Sequence, residues 1–186
     1  MQVPRALATV FALLLAACGP AQEPPASAGL SGPAACVPGG QGFLRARLRG
    51  AIDADLDWRA AQMTCEGGPR PDGSGLRLVL AGPLPGSDRI LKLVFGIDTR
   101  STDDSESNAA TNLTLIVEGG QQLFATLGND KCTTDRLQRT AAPGATRRQV
   151  EVRGFCTGPA ATVDGSGRVL VERFDFLSSY SVGSTP

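Results

Sequence analysis

The chain has 186 residues with 18 basic and 18 acidic side chains, so its overall charge calls for neither nucleic acid nor an acidic polymer as partner. It has no histidine, which removes the commonest general base, the serine–histidine and cysteine–histidine nucleophile pairs, and the commonest metal ligand. The length suits one domain with a sizeable core.

Residues 1–17 carry one positive charge, Arg5, followed by an apolar run rich in alanine and leucine, then Leu15, Ala16, Ala17 and Cys18. The run is too short to span a bilayer and is flanked as an export signal is. The Leu15-Ala16-Ala17-Cys18 spacing resembles the lipobox of a bacterial lipoprotein signal peptide. That resemblance implies that Cys18 becomes the mature N-terminus and carries a thioether-linked diacylglycerol and an amide-linked acyl chain, enough lipid for stable anchoring. Gly19 stands where relatives retained in the inner membrane carry aspartate, so the resemblance implies the outer membrane, with the protein facing the periplasm. The rest of 18–42 is rich in proline, alanine, glycine and serine and reads as a flexible tether behind the lipidated Cys18.

A β domain is expected over 43–180, with 181–186 as a disordered tail. It opens on Leu44 to Trp58, where even positions are apolar or small and odd positions carry Arg45, Arg47, Arg49, Asp53, Asp55 and Asp57. Period two is the signature of a strand with one buried face. Two arrangements are open. A hairpin over Gly50, Ala51 and Ile52 would set Arg49 against Asp53, Arg47 against Asp55 and Arg45 against Asp57. One long strand, bent or bulged at Gly50, is favoured, because a three-residue hairpin loop places glycine last and the hairpin would put apolar Ile52 in the turn.

Further strands are expected over 76–81, 90–97, 112–118, 122–127, 148–156 and 168–176, with a short helix allowed only from Trp58 to Met63. Turn signals separate them: Asp72-Gly73, Pro85-Gly86, Gly119-Gly120, Asn129-Asp130 and Asp164-Gly165. Strands at this spacing imply an all-β fold, a single antiparallel sandwich or barrel. The segments after Cys65 and Cys156 each run into Asp-Gly-Ser-Gly and then a strand. This echo fits two related halves, or a common turn used twice.

With Cys18 assigned to lipid, Cys36, Cys65, Cys132 and Cys156 remain. An even number in an exported chain argues for two disulfides. Of three possible pairings we favour Cys36–Cys65 and Cys132–Cys156, the latter two on neighbouring strands joined by a loop around Pro143 and Gly144. A four-cysteine zinc site lacks any CxxC spacing.

No Walker loop, dinucleotide fingerprint or GxSxG occurs, and the only lysines, Lys92 and Lys131, have no dyad motif around them. No cofactor and no metal site is expected. Two stretches are candidate binding regions. The loop from Asp98 to Asn112 gathers Asp98, Asp103, Asp104 and Glu106 among serines and asparagines, oxygen chemistry that suits calcium, without EF-hand spacing. The segment from Lys131 to Arg153 concentrates Arg136, Arg139, Arg147 and Arg148, which would attract phosphate or carboxylate. A plain solvated surface is the simpler account of each. Arg173-Phe174-Asp175-Phe176 reads as core packing.

The run IDADLDW…MTCEGGPRPDGSG, with Cys132 and the Gly-Phe-Cys at Cys156, resembles small exported proteins of the Gram-negative cell envelope, a resemblance that brings no active site with it. Lipoprotein inhibitors of lysozyme share the expected architecture, but their tyrosine-and-cysteine signature is missing, since the only tyrosine is Tyr180. The expected function is a lipid-anchored binding or structural module of the envelope, non-enzymatic, with the membrane and an envelope protein as partners and no nucleic acid. An inhibitor of a periplasmic hydrolase, with Asp98 to Asn112 as its protruding loop, comes second. Third is a carboxylate enzyme, which would need two of Asp53, Asp55, Asp57, Asp103, Asp104 and Glu106 to converge in a cleft.

Overall fold

A computed structural model describes residues 36–37, 40–99, 104–120, 122–141 and 146–182. The lipobox, Cys18, most of the tether, Asp103, Pro143 and Gly144 lie outside the described residues. Twelve strands follow in chain order: β1 (Phe43–Gly50), β2 (Ala54–Arg59), β3 (Thr64–Pro69), β4 (Gly75–Pro83), β5 (Ile90–Asp98), β6 (Ser105–Glu106), β7 (Ala109–Val117), β8 (Gln122–Ala125), β9 (Cys132–Thr140), β10 (Arg147–Cys156), β11 (Ala160–Ala161) and β12 (Arg168–Ser181). The described residues hold no α-helix; the helix allowed near Trp58 is a single 3-10 turn, Ala60–Gln62.

The expected all-β antiparallel architecture is what forms, as one sheet. From one edge it runs β2, β1, β12, then β10 and β11 end to end, then β9 and β8 end to end, then β7, β5, β4 and β3. The sheet rolls until its far parts meet. Phe95 of β5 packs on Phe174 and Phe176 of β12, ring centroids 5.0 and 4.8 Å apart. Trp58 of β2 lies over Gly82 of β4, where any side chain would collide with the indole, and its Nε1 donates to the Pro83 carbonyl at 2.9 Å. On the other side Gly67 of β3 presses against Ser179 and Tyr180 of β12; a Cβ there would sit 2.7 Å from that of Tyr180.

The core is the inner face of this roll. Leu44, Leu48, Leu78, Leu80, Leu91, Leu93, Phe95, Ile97, Phe174 and Phe176 are fully buried. Most of the longer strands supply alternate residues, so period two in the sequence becomes a dry inner and a wet outer face.

Leu44 to Trp58 is a hairpin and not the single long strand that its turn chemistry favours. β1 and β2 pair with Arg45 opposite Asp57, Arg47 opposite Asp55 and Leu48 opposite Ala54. Two facts remove the objection to this register. Gly50 takes φ +115°, and a Cβ on it would lie 2.4 Å from the Arg168 carbonyl, so glycine is required by the approach of β12. Ile52, although in the turn, is only 7% exposed and joins the core.

Both expected disulfides are present, Cys36–Cys65 and Cys132–Cys156. The second joins positions directly opposite each other on β9 and β10. The packed region begins earlier than 43, since Cys36 and Val37 are buried. It also ends one residue into the expected tail, because β12 runs to Ser181.

The two Asp-Gly-Ser-Gly segments form the same turn. In the first, the Gly73 amide donates to Arg70 and that of Arg70 to Gly75, both at 2.9 Å; in the second, Gly165 donates to Thr162 at 2.9 Å and Thr162 to Gly167 at 3.0 Å. Asp72 accepts from the amide and hydroxyl of Ser74, and Asp164 from those of Ser166. Gly73 and Gly165 share φ +72°.

Candidate functional site

The two stretches singled out as separate binding regions meet through two of their ion pairs. β6 pairs with β9, setting Glu106 opposite Leu137, and the Arg139 amide donates to the Asp104 carbonyl at 2.6 Å. The Arg148 guanidinium donates to the Asp104 carboxylate. Arg139 lies 3.7 Å from Glu106, with their side chains 4% and 14% exposed, so this ion pair is nearly out of water. Arg147 is also engaged, its Nε and Nη2 donating to the Ser179 hydroxyl at 3.1 and 2.8 Å. Arg136 bonds to Gln138, and Asp98 ends β5 opposite Gly75. Of the carboxylates expected to gather in one loop, Asp104 and Glu106 are therefore engaged from β10 and β9, whereas Asp98 is not. Among the described residues, no group of three or more histidine, cysteine, aspartate or glutamate side chains is placed to hold a metal ion.

Asp53, Asp55 and Asp57 lie elsewhere, each against an arginine. Arg49 reaches Asp55 at 2.9 Å and Asp53 at 3.4 Å, Arg47 reaches Asp55 at 3.6 Å, and Arg45 reaches Asp57 at 3.5 Å. The Asp55 hydrogen bond raises the pKa of Arg49. These pairs belong to a larger surface that sequence reasoning did not find. Across the outer face, Arg136 of β9, Arg153 of β10, Asp175 of β12, Arg45 of β1 and Asp57 of β2 stand in one row.

Two bulges interrupt the ladder beneath this face. Arg47 pairs with Arg173 while Leu48 pairs with Val171, so Glu172 is the extra residue and both Glu172 and Arg173 point outward. Likewise Arg153 pairs with Arg136 and Gly154 with Thr134, leaving Asp135 extra. Each bulge thus turns an acid and an arginine out together. The signal was in the sequence: Val171-Glu172-Arg173-Phe174 and Thr134-Asp135-Arg136-Leu137 each break alternation by one residue.

Two shallow grooves of about 590 and 460 Å³ lie on this face and meet at Glu172, Arg173 and Asp175. The first extends toward Arg45, Arg47 and Asp57; the second extends over β10 to Phe155 and Asp135. Such an arrangement can bind charged groups lying over the face of the sheet. The fold and this face define a class, a disulfide-closed antiparallel β protein with a charge-patterned outer surface. Against protein-family models, curated proteins and solved structures, the chain finds no match.

Proposed function

We propose that the chain is an outer-membrane lipoprotein of a Gram-negative envelope, held through lipid on Cys18, whose β domain serves as a binding module in the periplasm. One observation carries this reading: four of the five cysteines are consumed in two disulfides, which leaves Cys18, at the lipobox spacing, as the odd one. Disulfides of this kind persist in oxidising compartments. A free thiol next to an apolar leader has a ready role as the lipid acceptor.

The binding half of the proposal draws on the outer face of β9, β10, β12, β1 and β2, which is charged, grooved and carried on a continuous hydrogen-bonded sheet. Presentation on a paired sheet lowers the entropic cost of engaging a partner.

Fractionation of cells expressing the full chain tests the anchor. The native chain is expected in the outer-membrane fraction, with a mass increased by lipid, and Cys18→Ser is expected to leave that fraction without the added mass. A Cys18→Ser chain that stays membrane-bound overturns the anchor. In-cell crosslinking of the native chain tests the module, expecting a stoichiometric envelope partner whose crosslinks map to this face. Crosslinks confined to other surfaces, or none, overturn it.

A further inference from the structure

The exposed face contains two cross-strand pairs of like charge, where direct opposition is destabilising. Arg136 and Arg153 are one pair, and both have other partners: Arg136 bonds to Gln138, while Arg153 reaches Glu151 at 3.1 Å and Asp175 at 3.5 Å. Arg47 and Arg173 are the other. Arg47 has only long contacts to carboxylates, 3.6 Å to Asp55 and 3.9 Å to Glu172. The Arg173 guanidinium has no ion pair or hydrogen bond among the described residues.

The bulge at Glu172 creates this opposition by turning Arg173 outward beside Arg47. Continuing the register of β10 and β12 one step past Gly154 and Phe174 sets Phe155 on the other flank of Arg173. Phe155 is 39% exposed, and it lines the same groove as Arg173. An apolar ring, an arginine without a partner and a second, weakly neutralised arginine therefore stand side by side across three strands about 4.8 Å apart.

We propose that Arg47 and Arg173 bind a carboxylate whose carrier also lays an apolar group on Phe155, the chemistry of a polypeptide C-terminus ending in a large apolar residue. The proposal rests on the binding-module reading and names its ligand chemistry. Two planar guanidinium forks match a planar carboxylate, which accepts from both. The surrounding carboxylates of Asp55, Glu172 and Asp175 repel any anion, a phosphate dianion more strongly than a carboxylate, so the two guanidinium groups select the monoanion. Binding removes a repulsion already present, so the free protein holds the two cations ready.

The test is an NMR titration of the full chain in detergent micelles with N-acetyl-phenylalanine, following the arginine Nε–Hε signals. Saturable shifts are expected at Arg47 and Arg173, with none from the methyl ester. In Arg173→Gln the affinity should fall about tenfold, the loss of one charge-assisted contact. Phe155→Ala should weaken binding too. Both positions are on the outer face, and an unchanged amide spectrum verifies that each variant folds. Failure to saturate, equal response to the ester, undiminished affinity in Arg173→Gln, or tighter binding of inorganic phosphate each overturns the site. A flat titration beside a captured envelope partner overturns this site alone. Saturation in a chain that neither anchors nor captures a partner overturns the envelope reading alone.

Discussion

Single residues decide how the turns of this protein behave. In the second Asp-Gly-Ser-Gly turn, the Thr162 hydroxyl, then the Ser166 amide and hydroxyl, favour the ionised carboxylate and hold Asp164 at a pKa of about 2, below the ordinary 3.8. A depressed carboxyl stabilises the fold above its unfolded pKa and loses that contribution as pH falls through its folded one. The turn is thus expected to stay closed at pH 4 and loosen toward about pH 2. Carboxyl NMR titration of Asp164 checks this; a midpoint at the unfolded value would contradict it. Asp72 is lowered in the same direction, by the Ser74 amide and then its hydroxyl. The twin turns differ at their second position, where Pro71 in one is matched by Val163 in the other, 97% exposed. Proline fixes φ at a value such turns accept and restricts the unfolded chain. Val163→Pro is therefore expected to stabilise by about 0.5 kcal/mol, read from chemical denaturation.

At the scale of elements, the short strand β6 matters more than its two residues suggest. It brings Asp104 and Glu106 onto Arg148 and Arg139 of β10 and β9, and so straps the end of the acidic loop to the sheet. Charge pairs on open strand faces contribute little because water screens them. The Glu106–Arg139 pair differs, because both side chains are nearly buried. Removing one partner from such a pair leaves the other charge poorly solvated. Glu106→Gln is expected to cost about 2 kcal/mol, and Glu106→Gln with Arg139→Met less than the sum of the single changes. A double-mutant cycle by urea denaturation measures this; additive effects would show that the pair does not act as a unit. The hairpin of β1 and β2 shows the same interplay of element and context. Its own turn rules argue against it, yet β12 dictates Gly50 and the core takes up Ile52.

For the whole molecule, the two disulfides do different work. Cys132–Cys156 joins strands that already share a ladder. Cys36–Cys65 ties the segment before β1 to β3, beside the seam where Gly67 meets Ser179 and Tyr180 without a ladder between the strands. On the chain-entropy account each closed loop is worth roughly 3.5 kcal/mol. Replacing Cys36 and Cys65 by serine should lower stability by about that much and raise amide hydrogen exchange first in β3. Replacing Cys132 and Cys156 should cost a similar amount while β3 stays protected. Equal exchange of β3 in the two variants would show that the seam does not depend on the first bond.

Sequence by itself determined the all-β class, the strands richest in alternating apolar residues, the turns and the number of disulfides, because each rests on local periodicity, local turn chemistry or parity; of three possible cysteine pairings it favoured the one that the structure holds. It also held both alternatives for Leu44 to Trp58 and the correct ion-pair register in one of them. It did not reveal β3, whose Thr-Cys-Glu-Gly-Gly-Pro is poor strand material; Gly67 is there because β12 comes too close for a side chain. Nor did it show that Asp104 and Glu106 pair with Arg148 and Arg139, since Asp104 and Arg148 are 44 residues apart. The face of β9, β10, β12, β1 and β2 is likewise a product of register and two bulges. Only the tertiary structure decides which charges stand opposite one another, because pairing across a sheet is set by how the whole roll buries its inner face.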